Sequence, residues 1–357
     1  MVKEPESAGT ARPVLGLSIG DPAGIGPEIA VKALSRPGLY ETILPVVYAD
    51  RVVLEDALEL TGIKLDLHAI DDPAEALGRP GTLDYIDAGV ITGKGGYSYG
   101  AVSGKSGEAS FRYVVNAIAG AMAGKTAGVV TGPLCKEAVN LAGHHYAGHT
   151  EIFAEYTGTK TYGMLLCSGS LRVIHVTTHV SLRRACDLIT RERVLDTISL
   201  ARKALRLMGK EKGRIAVAGL NPHSSENGLF GDEEERCIIP AIEAARAEGF
   251  DVTGPVPPDT VFVKALGGVF DLVVAMYHDQ GHIPLKLSGF RMDPATGAFT
   301  LMSGINATIG LPIIRTSVDH GTAFDKAGKN EAHEGSLVEA FEMAAIFAGN
   351  WDSAGKM

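Results

Sequence analysis

The chain has 357 residues, 45% of them hydrophobic and 21% charged, with a formal net charge of −9. That length can build a large core and two lobes. An acidic chain with no basic block is poorly suited to nucleic acid or to an anionic membrane surface, and no apolar run approaches a membrane span. Four cysteines without a CxxC pair, Cys135, Cys167, Cys186 and Cys237, fit a reducing, cytoplasmic setting better than a disulfide scaffold. The first dozen residues, MVKEPESAGTAR, lack an apolar signal core and read as a frayed tail.

Strand-like and helix-like runs then alternate. Val14–Ile19 is a continuous apolar run and predicts a buried strand. Pro27–Leu34 predicts a helix with Pro at its first turn. Leu44–Tyr48, a helix over Val52–Leu60, an Ala-rich helix over Glu108–Met122, a strand at Gly128–Thr131 and a helix at Lys136–Leu141 follow. Tyr162–Cys167 and Leu171–Val176 flank Ser-Gly-Ser and predict a hairpin. Helices over Arg191–Met208, Glu233–Glu248 and Ser336–Ala348 enclose strands at Ile215–Leu220 and Leu272–Met276. The pattern is α/β, a mostly parallel sheet with a hairpin insertion, and the length suits two lobes around a cleft.

Three histidines follow or end strand-like runs: His179 in RVIHVTTHVS, His223 in RIAVAGLNPHSS and His278 in DLVVAMYHDQG. A doubly wound sheet collects its chemistry outside the carboxyl ends of its strands, and three imidazoles there can hold a divalent metal with a position left open. A single strand-end histidine is more often structural, so the argument rests on the trio. Four polar motifs surround them. Ser18–Glu28 (SIGDPAGIGPE) is either an anion-binding turn or simply a tight strand-to-helix turn. Gly148-His149-Thr150-Glu151 leads into a helix, with Thr150 as a candidate N-cap or, beside His149, an anion contact. In MYHDQG, Asp279 is placed to orient the His278 imidazole, and Lys286 lies eight residues on as a cation. The run from Asn306 to Arg315, then TSVDHGTAFDKAGK, has the composition of a nucleotide-wrapping loop. Metal plus nucleotide points to oxidation of an alcohol beside a carboxylate. His144, His145, His175, His282 and His333 are expected to be structural or solvated, and Cys135 to be packed.

GDPAGIGPE, TGPLCKEA, GHTE, TTH, LNPH, MYHDQG and GLPIIRTSVDHGTAFDKAG, in that order from about Val14 to the end, resemble the 4-hydroxythreonine-4-phosphate dehydrogenase family. The last stretch is similar to the nucleotide loop of isocitrate and isopropylmalate dehydrogenases. The resemblance implies that fold. A first α/β lobe, residues 13–150 plus 300–357, would carry the nucleotide loop, and a second, 151–299, the metal histidines. It implies His179, His223 and His278 as ligands of a divalent metal (zinc, magnesium, cobalt or manganese). His149, Thr150, Lys286, Asn306 and Arg315 would contact substrate, with Lys286 and Asp279 as the catalytic candidates. His320, Gly321, Thr322, Asp325 and Gly328 would contact NAD. It further implies a homodimer, part of whose site comes from the second chain, and NAD-dependent, metal-assisted oxidation of a 4-phosphorylated 3-hydroxy acid with decarboxylation of the β-keto acid.

Two departures bear on substrate. Ser288–Gly304 lengthens the path between Lys286 and Asn306, where it can reshape or cover the pocket. GHIPLK after MYHDQ resembles the branch acting on 4-phospho-D-threonate or 4-phospho-D-erythronate in sugar-acid catabolism, rather than the branch in pyridoxal phosphate biosynthesis. Aromatic cis-dihydrodiol dehydrogenases of the same family, a phosphotransacetylase-like acyltransferase and a silent sugar-phosphate sensor are the other readings.

Overall fold

The computed structural model describes residues 12–294 and 299–351. Eleven residues of the polar leader lie outside it, as do residues 295–298 of the long segment before Asn306. Arg12, expected in a frayed tail, is instead tied down. Its guanidinium donates to the carbonyls of Tyr40 and of Gly78 (3.2 Å).

Fourteen strands are described: β1 Val14–Ser18, β2 Leu44–Ala49, β3 Asp66–Ala69, β4 Thr82–Asp87, β5 Gly128–Thr131, β6 Gly163–Ser168, β7 Leu171–His175, β8 Ile215–Ala218, β9 Val252–Val256, β10 Leu272–Ala275, β11 Phe290–Met292, β12 Phe299–Met302, β13 Ile305–Ile309 and β14 Ile314–Val318. Twelve of them form one sheet in the order β3-β4-β2-β1-β5-β14-β13-β6-β7-β10-β8-β9. The pairs β13–β14, β13–β6 and β6–β7 are antiparallel, and the other pairs in this sheet are parallel. The long apolar runs became the central parallel strands, buried on both faces, as a helix-covered sheet requires. The predicted Tyr162–Val176 hairpin is β6–β7.

The order reverses between β1 and β5, so the turns after these strands meet at a topological switch point. Gly20 (φ +88°) is forced there. A Cβ on it would stand 2.3 Å from the Pro133 carbonyl. At the seam of the sheet, strand alternation puts Arg315 and Ser317 of β14 on one face, and Asn306 and Thr308 of β13 likewise share a face. Asn306 is registered against Ser317.

On the other side, β7, β10 and β8 are consecutive neighbours. The segments leaving their carboxyl ends carry His179, His278 and His223 respectively. Beyond β10 the chain forms a helix, His278–Gly289, despite Pro284 within it. That proline removes one intrahelical donor, yet the helix places His278, His282 and Lys286 along one face at four-residue spacing. Ser288–Gly304 contributes the end of this helix and a small antiparallel pair, β11–β12. Among the described residues, no helix is long and apolar enough to cross a membrane.

Candidate active site

A cavity of about 290 Å³ opens at the seam. His149, Thr150, Asn306 and Arg315, four of the five expected substrate contacts, line it, with His320 and Gly321 of the expected nucleotide loop and His179 of the metal trio. The fifth, Lys286, stands behind it. Its ammonium donates to Asp319 Oδ2 at 2.7 Å, and Asp319 lines the cavity.

Arg315 is only 3% exposed. Its terminal nitrogens donate to Thr308 Oγ1 (3.1 Å), Thr131 Oγ1 (3.0 Å) and Asn306 Oδ1 (3.4 Å). Its Nε is buried with no partner. Burial lowers the guanidinium pKa to about 10, with Glu151 opposing the fall, so it remains a cation at neutral pH. His149 Nε2 is likewise buried without a partner. Burial first, then the charges of Arg315 and Lys136, hold this imidazole well below its usual range, and it is neutral. Thr150 is not the N-cap. The helix His149–Thr157 is preceded by Gly148 in the cap position, which frees the Thr150 side chain for the cavity. A buried arginine held by three neutral oxygens, with an orphaned Nε, near an unpartnered imidazole nitrogen, suits a small anionic ligand.

The GDPAGIGPE turn is tightly packed, and its Ile25 lines the cavity beside the nucleotide loop. Asp21 is fully buried, its Oδ1 accepting from Ala23 N (2.9 Å). Burial raises its pKa to about 6, against the backbone N–H groups of Ala23 and Cys135. The turn braces the nucleotide loop rather than lining the cavity around Arg315. Ile25 N donates to Thr322 O (3.0 Å), and a Cβ on Gly24 would touch Thr322. Glu28, also buried, accepts from Ala332 N and Lys32 Nζ (both 2.7 Å). Beside this loop lies a second cavity of about 630 Å³, lined by Asp325, Lys326 and His333, and sharing His320 and Gly321 with the first. Thr322 and Gly328 do not line either cavity. Thr322 docks the loop on Gly24, and Gly328 (φ +76°) packs on the Tyr99 ring.

His179 and His278 are neighbours, with ring centroids 5.7 Å apart, and both line a further hollow of about 350 Å³ with Asp279. Asp279 Oδ1 is 2.6 Å from His278 Nδ1, leaving Nε2 for another partner. Burial lowers the His179 pKa, chiefly ahead of the charges of Lys136 and His278, which favours the neutral, ligating form. His282, expected to be structural, stacks on His278 at 3.6 Å and lines the cavity. Its Nδ1 is 3.0 Å from the His278 carbonyl, and burial lowers its pKa to about 4. Beneath it, His175 is fully buried with its pKa pushed down to about 3 by burial and by His282.

His223 stands apart. It is exposed on a turn where five successive non-glycine residues, His223 to Asn227, have positive φ. Each such residue costs about 1–2 kcal/mol. Its ring faces Phe230 (6.3 Å between centroids). Among the described residues, no three His, Cys, Asp or Glu side chains of one chain are grouped to hold a metal.

Sequence reasoning also missed Lys136 and Asp319, which line the main cavity. Lys136 sits in the quoted TGPLCKEA motif, and Asp319 adjoins His320 in the last one. Both signals were present, but only the meeting of loops at the switch point gives them a use.

The fold and cavity define an α/β protein with a buried arginine in a cavity at the switch point, next to a loop-lined groove. Residues 41–344 match the family model described as pyridoxal phosphate biosynthetic protein PdxA. The chain is 48% identical to the D-threonate 4-phosphate dehydrogenase of Cupriavidus necator over 337 residues, covering 94% of this chain and 97% of that one. It is 45% identical to the 4-hydroxythreonine-4-phosphate dehydrogenase of Desulfosudis oleivorans, covering 93% and 95%. The crystal structure of the 4-hydroxythreonine-4-phosphate dehydrogenase of Klebsiella pneumoniae superposes with a TM-score of 0.84 at 45% identity, covering 96% and 99%. The chain belongs to the PdxA family.

Proposed function

We propose that this protein is a dehydrogenase that oxidises the 3-hydroxyl of a 4-phosphorylated hydroxy acid, D-threonate 4-phosphate first among the candidates, with NAD as acceptor and a divalent metal as Lewis acid. The observation that carries the reading is the buried Arg315 with its orphaned Nε, in the cavity that also holds His149 Nε2, next to the groove of the 320–336 loop. The relative names favour the phosphorylated sugar acid over the amino acid, and GHIPLK agrees.

In this reading Arg315, Lys136 and Asn306 bind the anionic groups of the substrate, and Thr150 and neutral His149 fix its oxygens by hydrogen bonds. Lys286, oriented by Asp319, holds a proton at the cavity's edge for the substrate. Asp325 and the backbone of His320–Gly321 hold the nucleotide. NAD bound at that loop would be the hydride acceptor for the carbon bearing the hydroxyl, whose proton would leave to water, and the β-keto acid would lose CO2, its carbanion taking up the proton held by Lys286. When bound, the metal polarises the hydroxyl and carbonyl oxygen.

His179 and His278 fit such a cation. Their spacing suits two imidazoles whose nitrogens stand ~2.1 Å from one ion, and Asp279 orients the second. His223 would complete the set from the partner of a homodimer. It sits beside Leu229 and Phe230, which are 71% and 46% exposed and suit burial against a second chain. We read the molecule as two lobes, residues 13–150 with 300–357 and residues 151–299, working in the cytoplasm. The test is NADH formation from 4-phospho-D-threonate, 4-phospho-D-erythronate and 4-hydroxy-L-threonine phosphate, each with and without chelator. Absence of NADH from all three would end the proposal.

A further inference from the structure

The turn that carries His223 is held at its base by one buried carboxylate. Glu234 is 1% exposed. Its Oε1 accepts from the backbone N–H groups of Leu220 and Asn221, both at 2.8 Å, and its Oε2 accepts from the Asn221 side chain, also at 2.8 Å. Asn221 Nδ2 donates as well to Glu233 Oε2 (2.8 Å), which fixes the orientation of the amide. On the opposite side, Gln280 ties the same base to the His278 helix. Its Nε2 donates to Gly219 O (2.8 Å) and its Oε1 accepts from Met276 N (2.6 Å).

From this anchored base the chain winds left-handed from His223 to Asn227, and it is closed again where Phe230 N donates to Ser225 O (3.1 Å). A run of non-glycine residues at positive φ persists only where its surroundings over-determine it. Three charge-assisted hydrogen bonds to one carboxylate pin the chain just ahead of this run.

We propose that Glu234 is a positioning residue for His223: by clamping Leu220 and Asn221 it holds the left-handed turn and sets where the imidazole stands for the metal. This rests on the reading of His223 as a ligand. Glu234 touches neither metal nor substrate in this scheme. An amide at position 234 would keep the two backbone contacts but turn an N–H₂ group toward Asn221 Nδ2. Asn221 cannot simply rotate in response, because its Nδ2 is also held by Glu233.

The test is a double-mutant cycle on zinc affinity of the full-length, chelator-stripped protein, with thermal unfolding of each variant followed in parallel. Glu234→Gln is expected to weaken zinc binding about 10- to 100-fold in the native background, the usual effect of losing a partner that orients a ligand. In the His223→Ala background the same change is expected to do less than twofold. Equal losses in both backgrounds, or no loss in the native one, overturn the proposal. A His223→Ala protein that binds zinc as tightly as the native protein overturns the ligand reading itself, and the positioning role with it. If Glu234→Gln does not fold, Asn221→Ala carries the same cycle with a smaller expected loss.

Discussion

The cavity around Arg315 and the turn around His223 both lie beyond the ends of strands in one sheet, but they are built in opposite ways. Arg315 sits within a strand, second residue of β14, buried, with oxygens from β5 and β13 already on its nitrogens. His223 is exposed on a strained turn, five residues past the end of β8, with its nearest ring contact to another exposed side chain. On the proposed reading, the first site is finished within a single chain and the second is finished only by a partner. Anion binding should therefore survive as a property of the folded chain, whereas metal binding should depend on the turn and on a second copy.

The largest expected effect falls on the unfinished side. If His223 is the third ligand, as proposed, His223→Ala should lower turnover by about 10³-fold or more and remove most bound metal. The fold should persist, since the exposed ring packs on little. Elemental analysis and NADH absorbance together check it, and full turnover with full metal content would contradict the assignment. Next comes the finished side. Arg315→Lys keeps a charge but cannot span Thr131 and Thr308 at once. A loss of about 10²-fold in kcat/KM is expected, mostly through KM, with metal content unchanged. If metal is lost too, the two regions are coupled more tightly than their construction indicates.

Much of the first region's framework was legible, because parallel strands buried on both faces read as unbroken apolar runs, and Val14–Ser18, Leu44–Ala49 and Gly128–Thr131 are such runs. The helix after β10 was hidden by Gly281 and Pro284, which locally argue against a helix. Tertiary packing overrides them. Gly281 is required there because a Cβ would stand 2.3 Å from His175 Nε2. With that helix unseen, His282 could not be placed four residues beneath His278. β3 is short, β4 is mixed in polarity, and β9 contains Pro255, so none had a clear strand signature. The candidate ligands were found as strand-end residues, but which of them share a chain's interior depends on a backbone turn of unusual handedness. Its supporting carboxylate, Glu234, reads in sequence as one more acidic residue in GDEEER.

Packed under the helix that carries His278 and His282, His175 offers a pH handle. Burial penalises the cation and pushes its folded pKa down to about 3 from the ordinary 6.5. The unfolded chain therefore takes up a proton that the native one refuses, and stability falls as the pH drops from about 6.5 toward 3. Between pH 7 and pH 5 this one group should account for about 2 kcal/mol of lost stability at 1.36 kcal/mol per unit. Urea unfolding of a His175→Gln variant should show a decline over that range shallower by about that amount. An unchanged slope would mean that the ring is solvated or charged in the native state.

The smallest effect separates the nucleotide loop from both regions. Glu28 reaches from the first helix to Ala332 N, some three hundred residues away in sequence, and holds the far end of the loop that begins at His320. Glu28→Gln retains an acceptor for Ala332 but loses the charge that Lys32 completes at 2.7 Å. The loop should loosen without moving Arg315 or the histidines. KM for NAD should rise several-fold, while KM for the phosphorylated acid, metal content and kcat at saturating NAD stay near native values. A drop in kcat of the same size would show that the loop's brace also sets the geometry of hydride transfer. The GDPAGIGPE turn would then serve the reaction rather than cofactor affinity alone.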